Sequence, residues 1–180
     1  MGSSKWVVDA SHTTVEFSVK HMMFTTVKGQ FATVEGVLEG DPTDLTSAVV
    51  TASVDVASIT TRDAQRDGHL KSADFFDAEN YPKLTFKSKR FEAKGDGEYK
   101  AYADLTIHGV TKEVAFDVTY DGSGKDPWGN TRIGLSAGAK INRKDFGLNW
   151  NAALEAGGFL VGDSVTIEIH LEAVQQTVAA

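Results

Sequence analysis

Histidine is the side chain of this sequence best suited to acid–base chemistry near neutral pH. The five histidines are scattered along the chain, and no two stand at the short spacing of zinc ligands. The chain has no cysteine, which excludes disulfides, thiolate nucleophiles and Cys-ligated metals. We therefore expect no catalytic residue and no metal site, although histidines distant in sequence could converge in the fold. The rival hypothesis is an enzyme that uses His21, His69 or His108 on an apolar substrate.

The elements that would position these side chains are β-strands. Apolar and polar residues alternate with a period of two, which is typical of half-buried strands. In the first run, Val15, Phe17, Val19 and His21 share one face. Further alternating runs occupy residues 50–56, 99–107, 114–120, 133–141 and 165–171, and another begins at Leu84 and Phe86. A change of parity predicts a bulge or bend near Thr33.

Turn residues separate about eight such runs, and His108 with Gly109 predicts a tight hairpin. One helix is predicted from Arg62 to Lys71, capped by Thr60 or Thr61. The pattern indicates an all-β fold, an antiparallel β-barrel of about eight strands with a short helical insertion near residues 61–80. The interior of such a barrel either fills with side chains or holds one small ligand.

Size and charge limit the domains and partners. A chain of 180 residues and 19.4 kDa suits one domain, which we assign to residues 6–173. Residues 1–5 are predicted to be a disordered N-terminus or a cloning remnant, and residues 174–180 a tail. The chain has 18 basic and 25 acidic residues, a formal charge of −7. This excess disfavours binding to nucleic acid or to an anionic membrane through bulk charge.

The sequence also bears on localisation. No stretch is long and apolar enough to span a bilayer, and no signal peptide stands at the N-terminus. The chain as given is therefore expected to be cytoplasmic. If a leader has been removed, the expected location is periplasmic or extracellular instead.

Several spaced blocks of sequence resemble the YceI-like family, over nearly the whole chain. The most specific block is RDGHLKSADFFD at residues 66–77. The other blocks, in the same order as in the family, occupy residues 9–13, 58–61, 81–82, 86–88, 105–112, 128–129, 141–143 and 145–147. The resemblance implies a lipocalin-like, extended barrel around an elongated apolar tunnel. It also implies a bacterial protein that binds polyisoprenoids or similar long amphiphiles, and it allows a homodimer.

The resemblance favours non-catalytic binding, sequestration or transport of a long apolar lipid: a polyisoprenoid, an isoprenoid quinone or a fatty-acid-like amphiphile. No other cofactor is expected. The alternative is a filled barrel without a ligand, serving as a structural or stress-response module. The apolar tunnel lining is predicted to comprise Val15, Phe17, Val19, Phe31, Phe75, Phe76, Leu84, Phe86, Leu105, Phe116, Ile133, Leu135, Phe146, Trp150 and Ile167.

Three polar residues complete the predicted ligand site. His21 either bonds a ligand head group at the tunnel mouth or is a satisfied buried histidine. His69 lies in the helical segment, which either gates one tunnel end or is a capped helix with local ion pairs. Arg143 either pairs with Asp145 across a bulge or faces an anionic or amide head group.

Overall fold

The computed structural model describes residues 4–155 and 157–176, which form eleven strands and one α-helix. The strands are β1 (Ser4–Val8), β2 (Thr14–His21), β3 (Thr25–Phe31), β4 (Val34–Gly40), β5 (Val49–Asp55), β6 (Ile59–Thr60), β7 (Lys83–Gly95), β8 (Glu98–Ile107), β9 (Val110–Lys125), β10 (Thr131–Asn142) and β11 (Val161–Gln175). The helix α1 (Ala64–Lys71) lies between β6 and β7. No helix in this described part has the length and apolar character needed to cross a membrane.

The strands form one antiparallel sheet that closes on itself. The order β1-β4-β5-β7-β8-β9-β10-β11 returns to its start because β1 also pairs with β11, with Val7 opposite Val174. The strands β2, β3 and β6 continue the lines of β1, β4 and β5, and Phe17 in β2 stands opposite Ile167 in β11. The predicted fold, an eight-strand antiparallel barrel with one short helix, is confirmed.

The breaks in these lines have local causes. The line from β3 to β4 is interrupted at Ala32 and Thr33, the position of the predicted bend, and the amides of both residues donate to Ser58. The predicted hairpin is also confirmed, because His108 and Gly109 have φ values of 54° and 73° and join β8 directly to β9. Two consecutive left-handed residues match the right-handed twist of the flanking strands.

The start of the helix differs from the prediction. Asp63 is the N-cap, and its carboxylate accepts hydrogen bonds from the amides of Gln65 and Arg66, both at 3.1 Å. Thr61 instead donates from its amide and hydroxyl to Asp67, at 2.7 and 2.6 Å. The expected cap by Thr60 or Thr61 was therefore wrong, because a carboxylate two residues later satisfies the free helical amides.

The two ends of the barrel are built differently. At one end, here called the packed end, a 3-10 turn at Leu45–Ser47 closes the barrel, with Leu45, Trp6 and Leu38 buried. The opposite end, here called the mouth end, carries α1, the β2–β3 turn and the long β10–β11 connection. The resulting core is continuous at the packed end and opens toward the mouth.

The sheet reaches beyond the predicted domain boundaries. Ser4 and Lys5 belong to β1, and Val174 and Gln175 belong to β11. Those four residues therefore have defined strand structure, in contrast to the predicted disordered N-terminus and tail. Residues 1–3 and 177–180, which complete these predicted segments, lie outside the described residues.

Candidate functional site

An internal cavity of about 410 Å³ occupies the barrel between the packed end and the mouth end. Its walls are almost wholly apolar, because alternate side chains of the strands point inward. The cavity stops near Val118 and Leu135, where Leu45, Trp6 and Leu38 fill the packed end. Its volume falls in the range of about 300–1,000 Å³ that is typical of small-ligand sites.

Small residues on the inner face help to keep this space open. Ala52 and Ala137 line the cavity where neighbouring strands contribute larger side chains. Gly29 stands opposite Phe17, and a Cβ at Gly29 would lie 2.3 Å from the ring of Phe17. The missing side chain therefore lets the Phe17 ring lie across β3.

The structure brings most of the predicted site residues together around this cavity. Those that line it are Val15, Phe17, Val19, His21, Phe31, His69, Phe75, Phe76, Leu84, Phe86, Leu105, Phe116, Leu135, Arg143, Trp150 and Ile167. Their contact with a ligand stays a prediction.

Ile133 and Phe146 do not line the cavity, in contrast to the prediction. Ile133 is buried two residues beyond Leu135 on β10, within the packed end. Phe146 belongs to a 3-10 turn that contacts β9, β10 and β11, where pairing between β9 and β10 has already ended at Gly138. Its buried ring fills the space between the separating strands.

An aromatic cluster closes part of the mouth end. The ring of His69 on α1 lies with its centroid 5.0 Å from that of Phe75 and 4.7 Å from that of Trp150. Phe75 and Trp150 are themselves 5.4 Å apart. The Nε2 atom of His69 is 2.9 Å from a carboxylate oxygen of Asp74. His69 thus packs against Trp150 of the β10–β11 connection and also makes a local pair with Asp74. The choice between a gate and a capped helix stays a prediction.

Arg143 organises that connection from within. Its side chain is 4% exposed, and its guanidinium donates to the carbonyl oxygens of Gly162, Leu148 and Trp150. Burial lowers the pKa of Arg143, and Asp163 at 3.9 Å acts in the opposite direction. The side chain contacts Asp163 rather than Asp145, which one alternative expected as its partner. It lines the cavity, and its Nη2 also lies 3.4 Å from the carbonyl oxygen of Val161, so contact with a head group stays a prediction. Its hydrogen bonds position the backbone that carries Trp150.

The comparisons with known proteins now decide the family. The profile described as YceI-like domain matches residues 6–173. The chain belongs to the YceI-like family. The UPF0312 protein SA2479 of Staphylococcus aureus (strain N315) is 38% identical over 170 residues, which cover 94% of this chain and 96% of the relative.

Solved structures agree with the YceI-like assignment. The YCEI protein of Campylobacter jejuni is 31% identical, with a TM-score of 0.74 over 88% of this chain and 90% of the other. BcnA of Burkholderia cenocepacia is 25% identical, with a TM-score of 0.80 over 92% and 98%. A Saccharophagus degradans domain, described as polyisoprenoid-binding and implicated in plant cell wall breakdown, is 15% identical, with a TM-score of 0.72 over 95% and 98%. At that identity the last likeness shows the fold alone.

Sequence reasoning missed part of the cavity wall of this YceI-like protein. Val50, Ile169 and Leu171 line the cavity and share the parity of predicted inward residues, so the alternation could have identified them. Leu160, the last residue of the β10–β11 connection, and Val161, the first residue of β11, also line it. The predicted alternation begins only at Val165, so no periodic signal identifies these two positions.

The segment from Gly134 to Gly138 was also missed, although it has the GxSxG spacing of hydrolase nucleophiles. That motif requires a sharp strand-to-helix turn. Here it lies in the middle of β10, and the hydroxyl of Ser136 bonds Asp121 at 2.6 Å and lies 3.3 Å from His170 Nδ1, outside the barrel. Both partners approach the serine oxygen, so Asp121 does not orient His170 as a triad would require.

One group of potential metal ligands also lies on the outside of the barrel. Asp9, His12 and Glu172 approach one another closely enough to share an ion. The guanidinium of Arg132 already contacts two of them, with Nη1 2.8 Å from Asp9 and 2.9 Å from Glu172. Hydrogen bonds from Ser11, His12 and Arg132 lower the pKa of Asp9. The group therefore forms an ion-pair network around Arg132.

Proposed function

We propose that this protein binds a long apolar lipid in the barrel cavity without chemically changing it, and so sequesters or transports that lipid. The observation that carries the proposal is the almost wholly apolar cavity, which opens at the mouth end. A polyisoprenoid, an isoprenoid quinone or a fatty-acid-like amphiphile has the required chemistry. The description of the Saccharophagus degradans domain as polyisoprenoid-binding is consistent with the first of these.

The apolar wall is sufficient for such binding. Each methylene removed from water contributes about 0.8 kcal/mol, so a five-carbon unit contributes about 4 kcal/mol before ordering costs. The loss of chain and overall freedom on binding offsets much of that gain. Apolar contact alone can therefore supply the affinity, and binding requires no catalytic group.

The polar groups support an amphiphile with a small head group. His21 lines the cavity and is exposed, so the alternative of a buried, satisfied histidine was wrong for this residue. Lys20 beside it also reaches the cavity edge. A head group at the mouth could bond these side chains while the tail extends toward Leu135. The homodimer that the family resemblance allows and the cellular location stay expectations.

The three histidines of the enzyme hypothesis occupy different settings. His21 is at the mouth, and His69 packs against Phe75 and Trp150. His108 forms the β8–β9 hairpin, with its ring 4.8 Å from that of Tyr81. These settings favour head-group contact for His21, positioning of the helix for His69 and turn formation for His108. They support binding over catalysis.

The test is native mass spectrometry and solvent extraction of freshly purified protein, followed by titration with prenyl lipids in detergent. We expect a co-purified lipid or saturable uptake of one lipid per chain. Ala137→Phe should block uptake by filling the cavity, whereas Ala115→Phe, which adds the same ring at a position that does not line the cavity, should retain it. Absence of extracted lipid together with absence of uptake by the unmodified chain would contradict the proposal.

A further inference from the structure

Four large apolar side chains are exposed together at the mouth end. Met22, Met23 and Phe24 form the β2–β3 turn and are 38%, 66% and 74% exposed, and Phe159 of the β10–β11 connection is 57% exposed. We call these four residues the apolar tip. Exposed apolar residues that cluster, rather than occur singly, mark surfaces of interaction.

The backbone holds this tip in a defined position. Met22 donates from its amide to the carbonyl of Leu160 at 2.8 Å, which joins the turn to the β10–β11 connection. Met22 and Met23 have φ values of 52° and 70°, an uncommon left-handed conformation for residues other than glycine. A Cβ at Gly158 would lie 2.1 Å from the sulfur of Met23, so the absence of a side chain at Gly158 lets Met23 pack there.

The tip also adjoins the cavity wall. His21 immediately precedes Met22 and lines the cavity, and Leu160 immediately follows Phe159 and lines it too. A surface that covers the tip would therefore lie against the mouth of the cavity. A ligand leaving that surface would reach the apolar interior with little exposure to water.

Local charge sets this region apart from the rest of the chain. The chain as a whole has a formal charge of −7, yet residues 17–34 include Lys20 and Lys28 and no Asp or Glu. Both lysines are exposed on the strands that lead to the tip. The facing β10–β11 connection and the start of β11 carry Asp145, Glu155 and Asp163 but also Arg143 and Lys144. Together with Lys20 and Lys28, these residues give a local excess that is small but positive. Such a region can approach an anionic surface that the chain as a whole would avoid.

We propose that the apolar tip inserts into the surface of a phospholipid bilayer and thereby places the cavity mouth against the membrane, where lipid enters or leaves. This step rests on the proposed function, because a bilayer is the natural source of a water-insoluble ligand. Stable protein–protein interfaces bury about 1,200–2,000 Å² of surface. Four projecting side chains offer far less area than that, which disfavours a protein partner. Insertion of exposed apolar side chains beside basic residues is a known means of attachment to membrane surfaces.

The test is co-sedimentation of the full chain with vesicles of phosphatidylcholine and phosphatidylglycerol. We expect Met23→Ser with Phe24→Ser to lower the fraction bound by about tenfold or more, since each change removes a buried apolar side chain from the bound state. The matched control is Trp128→Ser, which removes an 81% exposed apolar residue from the β9–β10 turn at the opposite end. This control should bind vesicles as well as the unmodified chain.

Lipid uptake from detergent separates the two proposals, because it bypasses the membrane. The tip variant should load prenyl lipid from detergent as the unmodified chain does, while loading more slowly from vesicles. Vesicle binding that is absent, or equal in the tip variant, overturns the membrane proposal. A tip-dependent dimer in sedimentation velocity, with vesicle binding unchanged by the substitutions, also overturns it. Failure of both proteins to load from detergent contradicts the proposed function itself.

Discussion

The two ends of the barrel are built from strands with the same alternation of apolar and polar residues, but one end is packed and the other contains the cavity. At the packed end, Leu45, Trp6 and Leu38 are buried in one cluster, and none of the three lines the cavity. At the mouth end, Phe17 and Trp150 are only partly buried and face the cavity. The alternation therefore determines which side chains point into the barrel. Whether that part of the interior is filled depends on the connections, such as the 3-10 turn at Leu45–Ser47.

The largest expected effect concerns the packed end. Leu45→Ala should lower the free energy of unfolding by about 2–5 kcal/mol, because it removes a fully buried side chain and leaves a void. Val19→Ala, at the half-exposed mouth, should lower it by about 1 kcal/mol or less. Denaturant unfolding measures both. Equal losses at the two positions would show that the ends do not differ in packing.

The next effect concerns the connection that bounds the mouth. Arg143→Met should lower the free energy of unfolding by about 1–3 kcal/mol, since it leaves the carbonyls of Leu148, Trp150 and Gly162 without donors. Lipid uptake should weaken as well, because Trp150 loses its support. Arg143→Lys keeps the charge but not the planar set of donors. Its free energy of unfolding, measured with denaturant, should fall between those of the unmodified protein and Arg143→Met. A fully stable Met variant would contradict this positioning role.

The smallest effect concerns acid stability, which should depend on the outer ion pairs and not on the mouth. The hydrogen bond from Arg132 lowers the pKa of Asp126 to about 2. Because the pKa is lower in the folded state, this carboxylate stabilises the fold above about pH 4 and loses that contribution as the pH falls toward 2. Asp126→Asn should therefore flatten the pH dependence of thermal unfolding over this interval. An unchanged profile would argue against the ion pair.

The alternation predicted the strands, the bend at Thr33 and the hairpin at His108 because each depends on residues close in sequence. It could not choose between neighbouring caps, since Thr61 and Asp63 both suit the start of a helix. The alternation assigned Ile133 correctly to the inward face of β10. It could not show that Ile133 lies in the packed end, beyond the cavity. The sequence also could not predict the role of Arg143, because the carbonyl groups that it bonds become neighbours only when the β10–β11 connection folds.

The central claim, that the mouth end contains a cavity for an apolar lipid, is tested most directly by a crystal structure of the protein loaded with a prenyl lipid. The account predicts continuous electron density from His21, past Phe17, toward Leu135, with the head group at the mouth. Density only on the outside of the barrel, with the side chains around Ala137 closed over the interior, would contradict it.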